Sequence, residues 1–463
     1  MARRRAEAQW RPVIDGTARP IYLALADALE RDVAAGRLQP GQTLPTHRAL
    51  ATALGLDLTT VTRAYGEARR RGLVGAATGR GSFVAEHAAR AAGPSKVEVD
   101  LSMNLPPHPP AAGIAERLAR TAASVLGRPD LARLLSYHPS AGLAEDREAG
   151  AAWLAPLLPG LAPDRVLVSG GAQAALMALL SSLAGSGDTV LAEEFTYPGL
   201  KAAAAQMGLR LEGLPMDAEG LLPDALEDAC RRLSPRALYC VPTIQNPTAG
   251  TLSPGRRAAV AAIARAHGLA IVEDDAYGLL PAVPPAPIAS LVPELTWYIS
   301  TLSKCLFPGL RIAYVAAPDE RAAARAQTAL RATLQMAPPL SAAIATRWVR
   351  DGSAAAVLEA VRAEARARQH LARAHLPAAA AHPEGHHLWL RLPPSWSAPA
   401  FADEARRAGL SVVPGAAFAI GAPRCEAVRL SLGAASDRAA LDRALARLGA
   451  LAEEGAGALL HIV

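Results

Sequence analysis

The sequence predicts a chain in two parts: a winged helix-turn-helix over residues 1–85, and a large α/β domain with a mainly parallel sheet over residues 99–463. Three observations carry this reading. Two short capped helical patterns meet at a glycine within the first 85 residues. After residue 99, apolar runs rich in valine, isoleucine and leucine alternate with helical patterns. The formal net charge of +6 lies wholly in the first part, which holds 13 Arg against 7 Asp and Glu, while the rest of the chain is neutral.

Taken in order, apolar residues recur at helical spacing from Ile21 through Leu25, Ala28, Leu29 and Val33, and Gly36 suits a helix stop. Pro40-Gly41 marks a turn. Thr46 can cap a second helix that runs through Leu50 to Leu54 and stops at Gly55. Asp57 or Thr59 can cap a third, from about Leu58 to Arg71. Two short helices on a tight glycine turn are the arrangement whose second helix enters the major groove of DNA. Leu73-Val74 and Ser82-Phe83-Val84, on either side of Gly79-Arg80-Gly81, read as a two-stranded wing. A basic small domain on a neutral large one is what phosphate neutralisation by a nucleic-acid reader requires.

The succession Pro20-Ile21-Tyr22, Leu38-Gln39-Pro40-Gly41, Arg48-Ala49-Leu50-Ala51, Leu54-Gly55, Thr60-Val61, Ala64-Tyr65 and Gly79-Arg80-Gly81-Ser82-Phe83-Val84 resembles the GntR family of bacterial transcription regulators. The resemblance implies that Arg48, Thr59, Thr60 and Thr62 face DNA and that Arg80 reaches a groove or phosphate from the wing. Leu58 departs from the pattern, since much of the wider family has a base-reading arginine there; Arg63 is the candidate substitute.

Residues 86–98 read as an Ala-rich polar linker. Beyond it, strands are expected at Arg165–Val168, Thr189–Ala192, Ala237–Val241, Ala270–Val272 and Trp297–Ile299. Chemistry-bearing motifs follow their ends. Ser169-Gly170-Gly171-Ala172-Gln173 opens a helix and offers bare amides to an anion. Tyr197 offers a ring on an exposed loop. Asn246 follows a strand, and Asp274 and Tyr277 lie at the end of another, where ligands bind in such sheets. In Thr301-Leu302-Ser303-Lys304, followed by Arg311, hydroxyls precede a lysine and a permanent cation follows it, which suits an aldehyde bearing a phosphate. Pyridoxal 5'-phosphate fits that description: Lys304 can hold it as a Schiff base, and Thr301, Ser303 and Arg311 can donate to the phosphate. An aspartate such as Asp274 would keep the pyridine nitrogen protonated.

These motifs make residues 99–463 resemble the fold type I aminotransferases, which implies a mainly parallel large domain and a small C-terminal α+β domain. By that resemblance Lys304 carries the cofactor, Asp274 pairs with the ring nitrogen, Asn246 and Tyr277 hold the phenolate oxygen, and Tyr197 stacks on the ring. Phosphate contacts fall to Gly171, Ala172, Gln173, Thr301, Ser303 and Arg311, with Tyr137 from the neighbouring subunit of a homodimer. In Val428-Arg429-Leu430-Ser431, Arg429 would clasp the α-carboxylate of an amino-acid-like ligand. Ala172 replaces a serine common in relatives and removes a hydroxyl. His138 replaces a glycine and narrows the expected mouth of the site.

The union of the two parts resembles the MocR-type regulators from end to end. It implies a cytoplasmic regulator of transcription that binds an operator in double-stranded DNA and senses pyridoxal phosphate or an amino compound. A catalytically active aminotransferase with an appended DNA-binding domain is the alternative. No stretch has the length and apolarity of a membrane span, and the start of the chain lacks the apolar segment of a signal peptide. Cys230, Cys240, Cys305 and Cys425 lack metal-ligand spacing and read as reduced packing residues, so no metal is expected.

Overall fold

Residues 10–12, 20–34, 37–39, 41–70, 73–77, 81–84 and 98–458 are described by a computed structural model of the chain. They divide into two units that part between Val97 and Glu98. In the first unit, helices α1 (Ile21–Ala34), α2 (His47–Leu54) and α3 (Leu58–Arg70) precede a hairpin of strands β1 (Val74–Ala77) and β2 (Gly81–Val84). The apolar stripe of α1 buries Leu25, Leu29 and Val33 against Leu50, Val61, Tyr65 and Val84. Ile21, expected in that stripe, is 50% exposed, because the first residue of α1 lies past the edge of this small core.

The caps behave as their side chains dictate. Thr46 Oγ1 accepts from the Ala49 amide at 3.2 Å, and Gly55 closes α2 at φ 64°, a conformation glycine adopts without a Cβ clash. Asp57, not Thr59, caps α3: its Oδ1 accepts from the Thr59 amide at 2.7 Å and the Thr59 hydroxyl at 2.5 Å. The Tyr65 hydroxyl donates to the Pro45 carbonyl at 2.9 Å and ties α3 to the turn before α2. Ala35, Gly36, Arg71 and the wing-tip Arg80 lie outside the described residues.

The second unit starts earlier than expected. Glu98, read as the last linker residue, donates its amide to the Gly409 carbonyl at 2.8 Å and pairs with Arg447 at 2.6 Å. Strand β3 (Val99–Asp100) follows. The central sheet holds β4 (Val166–Ser169), β5 (Thr189–Glu193), β6 (Arg210–Leu214), β7 (Ala237–Cys240), β8 (Ala270–Asp274), β9 (Thr296–Thr301) and β10 (Ala313–Ala316). Their order is β4-β10-β9-β8-β7-β5-β6, with β10 antiparallel to both neighbours and every other pair parallel. Five of these strands were expected, with ends shifted by up to two residues. The two unforeseen ones are β6, whose Arg-Leu-Glu-Gly-Leu alternation marks an edge, and β10, a four-residue apolar run that periodicity cannot separate from a helix turn.

The register of this sheet builds the site. Ala313 pairs with both Ser169 and Thr301, so three loops emerge side by side at one edge: the glycine turn after Ser169, the lysine turn after Thr301 and the Arg311 turn before Ala313. The parallel strands β5, β7 and β8 end at the same edge, as their shared direction requires. A second, antiparallel sheet of β11 (Ala380–Ala381), β12 (His387–Arg391), β14 (Val413–Pro414) and β15 (Ala427–Ser431) has the order β11-β12-β15-β14. With β13 (Leu410–Ser411) pairing β3, and the helices Ser353–His375 and Arg438–Ala458, it encloses a core around Leu390, Phe401, Val428 and Leu445. This is the small α+β part.

One glycine is placed by close approach. The chain at 101–106 runs against the end of β15, where the Ser431 amide donates to the Leu101 carbonyl at 2.7 Å, and a Cβ on Gly433 would overlap the Leu105 carbonyl. Replacing Gly433 by alanine is therefore expected to cost about 1–3 kcal/mol through overpacking. Urea unfolding of the second unit measures it, and an unchanged midpoint would show that the 101–106 segment yields freely.

Candidate functional site

A cavity of about 420 Å³ opens at the sheet edge where those loops meet, and its charged lining is Lys304, Arg311, Arg429 and Asp274. Its phosphate-suited end follows from local geometry. The helix Ala172–Leu183 begins after Gly171, whose φ of 102° is closed to ordinary side chains, and its first amides lack helical partners. A Cβ on Gly171 would come within 2.8 Å of Arg311 Nη2, so only glycine admits the guanidinium there. Arg311 itself holds φ 52°, a conformation rare outside glycine, and donates to the Gly170 carbonyl at 3.4 Å. Thr301 Oγ1 accepts from the Ser303 amide at 3.2 Å and lies 3.0 Å from Ser303 Oγ, which fixes both hydroxyls at the start of the lysine turn. Gln173 donates one side-chain N–H to the Gly199 carbonyl at 3.0 Å, leaving a buried Oε1 without a partner; towards an anion it offers its backbone N–H.

At the centre, Lys304 Nζ donates to the Asn104 carbonyl at 2.5 Å. Burial, and after it the positive charge of Arg429, push its amine down to about 8, against the pull of Asp274. Asp274 is buried at the end of β8. Its Oδ2 accepts from the Tyr239 hydroxyl at 2.8 Å, and its Oδ1 is a buried acceptor with no partner. Burial raises its carboxyl to about 6, with the Tyr239 bond opposing. Tyr277 accepts from Asn104 Nδ2 at 2.8 Å, and burial lifts its hydroxyl far above the usual tyrosine value. Tyr197, expected on an exposed loop, is half-buried just before the helix Pro198–Met207 and lines the cavity.

The small sheet supplies the opposite wall. Arg429 in β15 is only 6% exposed; it donates through Nη1 to Asn246 Oδ1 at 3.2 Å and through Nη2 to the Ser102 carbonyl. Its guanidinium carbon lies 5.0 Å from the centre of the Phe418 ring, and its Nε has no partner. The arrangement fits pyridoxal phosphate. The orphaned Asp274 Oδ1 suits a ring N–H, the glycine turn with Arg311 suits a dianion, and Lys304 is an amine held near neutrality. It is one of only three lysines in the chain, with Lys96 and Lys201.

Tyr137, expected to reach the neighbouring subunit's cavity, is 82% exposed and does not line the cavity of its own chain. His138, beside it, turns its Nε2 to the Arg133 carbonyl at 2.8 Å. Sequence reasoning passed over Ser102, Asn104, Tyr239 and Phe418. Tyr239 reads as core within an apolar strand, and the others sit in short irregular segments without periodicity.

In the first unit, Arg48, Thr59, Thr62 and Arg63 are exposed, the last three on the outer face of α3. Thr60 is half-buried, because helical phase turns it towards the packed side with Ala64. The Arg63 guanidinium lies over the Tyr22 ring at 4.2 Å, and Thr62 Oγ1 sits 3.3 Å from His47 Nδ1. Arg69, not anticipated, shares the exposed face with Leu58 and Thr62; its spacing of seven from Thr62 was the available signal. Among the described residues no helix is long and apolar enough to cross a membrane, and no cluster of three His, Cys, Asp or Glu side chains could hold a metal ion. Cys230, Cys240 and Cys305 are buried and Cys425 half-buried, all as free thiols.

Comparison with known proteins bears on both units. Residues 96–448 match the family described as aminotransferase class I and II, and residues 21–84 match bacterial regulatory proteins of the gntR family. The HTH-type transcriptional regulator YdeF of Bacillus subtilis (strain 168) is 30% identical over 454 residues, covering 96% of this chain and 97% of that protein. The HTH-type pyridoxine biosynthesis transcriptional regulator PdxR of Corynebacterium glutamicum is 29% identical over 64% of this chain and 66% of its own length. Among solved structures, the α-aminoadipate aminotransferase LysN of Thermus thermophilus, complexed with N-(5'-phosphopyridoxyl)-L-leucine, is similar with a TM-score of 0.71. It is 28% identical and covers 79% of this chain and 94% of that one.

The depressed amine makes a direct prediction. Burial and Arg429 disfavour the ammonium, so Lys304 is neutral above about pH 8. Acetylation of the cofactor-free protein at a series of pH values, read by peptide mass spectrometry, is expected to modify Lys304 with a midpoint near 8. In Asp274→Asn the midpoint moves lower, because the carboxylate that favours the ammonium is gone. A midpoint at the ordinary lysine value of 10.5 would contradict the charge balance described.

Proposed function

From the premise that this chain belongs to the MocR-type regulators, a GntR-type helix-turn-helix joined to a class I and II aminotransferase domain, we propose that it is a pyridoxal-phosphate-dependent, DNA-binding regulator of transcription. The observation that carries the reading is the joint occurrence, in one chain, of the Lys304, Asp274 and Arg311 cavity and of a capped helix-turn-helix whose segment holds all the net positive charge.

Bound in the cavity, pyridoxal phosphate supplies an aldehyde that captures amines and a ring that accepts electrons. The chain's residues have the following tasks in this proposal. Arg311, Thr301, Ser303 and the amides after Gly171 hold the phosphate. Asp274 accepts from the ring nitrogen and keeps its proton there. Tyr277 and Asn246 orient the ring oxygen, Tyr197 covers a face, and Lys304 presents an amine that needs little deprotonation near neutral pH. Arg429 seats the carboxylate of an amino compound. The differential affinity of a ligand for two states of the protein then biases DNA binding.

At the DNA, Arg48 and Arg69 suit phosphates or base edges, Thr59 and Thr62 suit base edges, Arg63 is exposed beside Tyr22, and Thr60 stands closer to the helix packing. Leu58, 41% exposed at the start of α3, suits a thymine methyl. Arg80, in the segment between β1 and β2, is a further candidate contact. The adjacent exposed Leu135 and Tyr137 support a homodimer in which Tyr137 reaches the partner's cavity, with cytoplasm as the location. The cavity also has the groups for a transamination half-reaction; that reading leaves the helix-turn-helix without a task.

Two measurements test the proposal. Borohydride reduction in the presence of pyridoxal phosphate is expected to label the Lys304 peptide and neither of the other lysines. Binding to DNA from upstream of the chain's own gene is expected to weaken with salt. Arg48→Ala and Arg69→Ala should each flatten that salt slope by about one. Labelling at another lysine would refute the cavity assignment, and unaltered slopes would remove those arginines from the interface.

A further inference from the structure

We infer that Asn104 and His387 are positioning residues that fix the polarity of the Tyr277 hydroxyl, so that its hydrogen is left for the cavity, as a donor to the ring oxygen of the bound cofactor. The inference rests on the reading that the cavity holds pyridoxal phosphate. It is carried by contacts wholly inside one chain, among Tyr277, Asn104, His387 and Gln245, none of them more than 8% exposed.

His387, at the start of β12, is the fixed end of this chain of bonds. Burial, and after it the positive charge of Arg429, push its imidazole down to about 3, so the ring is neutral and carries one N–H. Its Nε2 lies 2.9 Å from the Gln245 carbonyl, which can only accept, and the hydrogen therefore sits on Nε2. Nδ1 is left with a lone pair, and Asn104 Nδ2 faces it at 3.3 Å. The amide must turn its NH2 that way. The second hydrogen of the same nitrogen goes to the Tyr277 oxygen at 2.8 Å. Tyr277 accepts there, keeps its own hydrogen for another acceptor, and lines the cavity.

Asn104 by itself favours the opposite orientation. Its Oδ1 is buried with no partner, and a flip of the amide would let that oxygen accept from Tyr277. The same flip would set Oδ1 against the lone pair of His387 Nδ1 and draw the Tyr277 hydrogen away from the cavity. His387 thus holds a choice that Asn104 and Tyr277 alone would make the other way. Arg429, Asp274 and Tyr197 also act on this hydroxyl and His386 packs against its ring, but its hydrogen bond is to Asn104.

The test follows the visible absorption of the full chain loaded with pyridoxal phosphate through a pH series, which reads the proton held between the Lys304 nitrogen and the ring oxygen. A donor on that oxygen draws off its negative charge and loosens the proton, so losing the donor raises the midpoint. Tyr277→Phe sets the scale, expected at about one pH unit upward, the size of one hydrogen bond. In His387→Leu the amide is free to flip, and a rise of at least about half that scale is expected although His387 does not line the cavity. Adding Asn104→Leu to His387→Leu removes the competing acceptor and is expected to bring the midpoint back towards that of the unmodified protein, whereas structural damage would accumulate. A midpoint unchanged in His387→Leu, or no lower in the double variant, would overturn the inference. So would a loss of cofactor absorption in His387→Leu that the double variant does not regain. In each of these cases the binding of pyridoxal phosphate by the unmodified protein stands. Absence of cofactor absorption in the unmodified protein would instead remove the reading beneath the inference, and the inference with it.

Discussion

Lys304, Arg311 and Arg429 share one cavity with a single carboxylate, and most of the site's properties follow from that imbalance. Burial of Lys304, and after it the charge of the buried Arg429, pushes the one group among them that can release its proton readily towards the neutral amine. Asp274 offsets part of this and carries its own burial cost, which lifts its carboxyl to about 6. Backbone carbonyls do the rest of the holding. Asn104, Gly170 and Ser102 each accept from one of the three cations, a neutral way of fixing positive groups without cancelling their charge. A ligand that brings a phosphate and a carboxylate completes the balance.

The fold is what makes such crowding tenable. Antiparallel β10 between β4 and β9 sets Ser169, Thr301 and Ala313 in register, so residues remote in sequence but carried by three adjacent loops converge without long side-chain reaches. The buried ends of the parallel strands hold the carboxylates firmly: Glu193 accepts from the Val241 amide with both oxygens, at 3.1 and 3.2 Å, and Glu273 accepts from the amides of Ile288 and Ala289. The small sheet then delivers Arg429 from the other side, and the 101–106 segment, pressed against Gly433, runs between the two walls.

How far the sequence revealed this depends on whether a signal was local. Lys304 with its preceding hydroxyls, Gly171 at a helix start and Asp274 at the end of an apolar run each announce themselves within a few residues. The helix caps Thr46 and Asp57 were legible for the same reason. Asn104 was not, because its contact with Lys304 spans 200 residues and its own surroundings have no period. Tyr239 was hidden by being apolar in context: its ring packs in the core while its hydroxyl alone serves Asp274. Thr60 and Arg69 exchanged expectations through helical phase, which a list of motif positions does not carry. β10 escaped because four apolar residues are too few for a period, although its register organises the site.

The central claim is that occupancy of this charge-imbalanced cavity and DNA binding are linked equilibria in one chain. The most direct measurement is the affinity of the full-length protein for DNA from upstream of its own gene, by fluorescence anisotropy at fixed salt, across a titration of pyridoxal phosphate, repeated with Lys304→Ala. The account predicts an affinity that changes with pyridoxal phosphate by about fivefold or more, the usual scale of a coupling free energy, and a response that is lost or sharply reduced in the variant. An affinity for that DNA unaffected by a cofactor shown to be bound would contradict it.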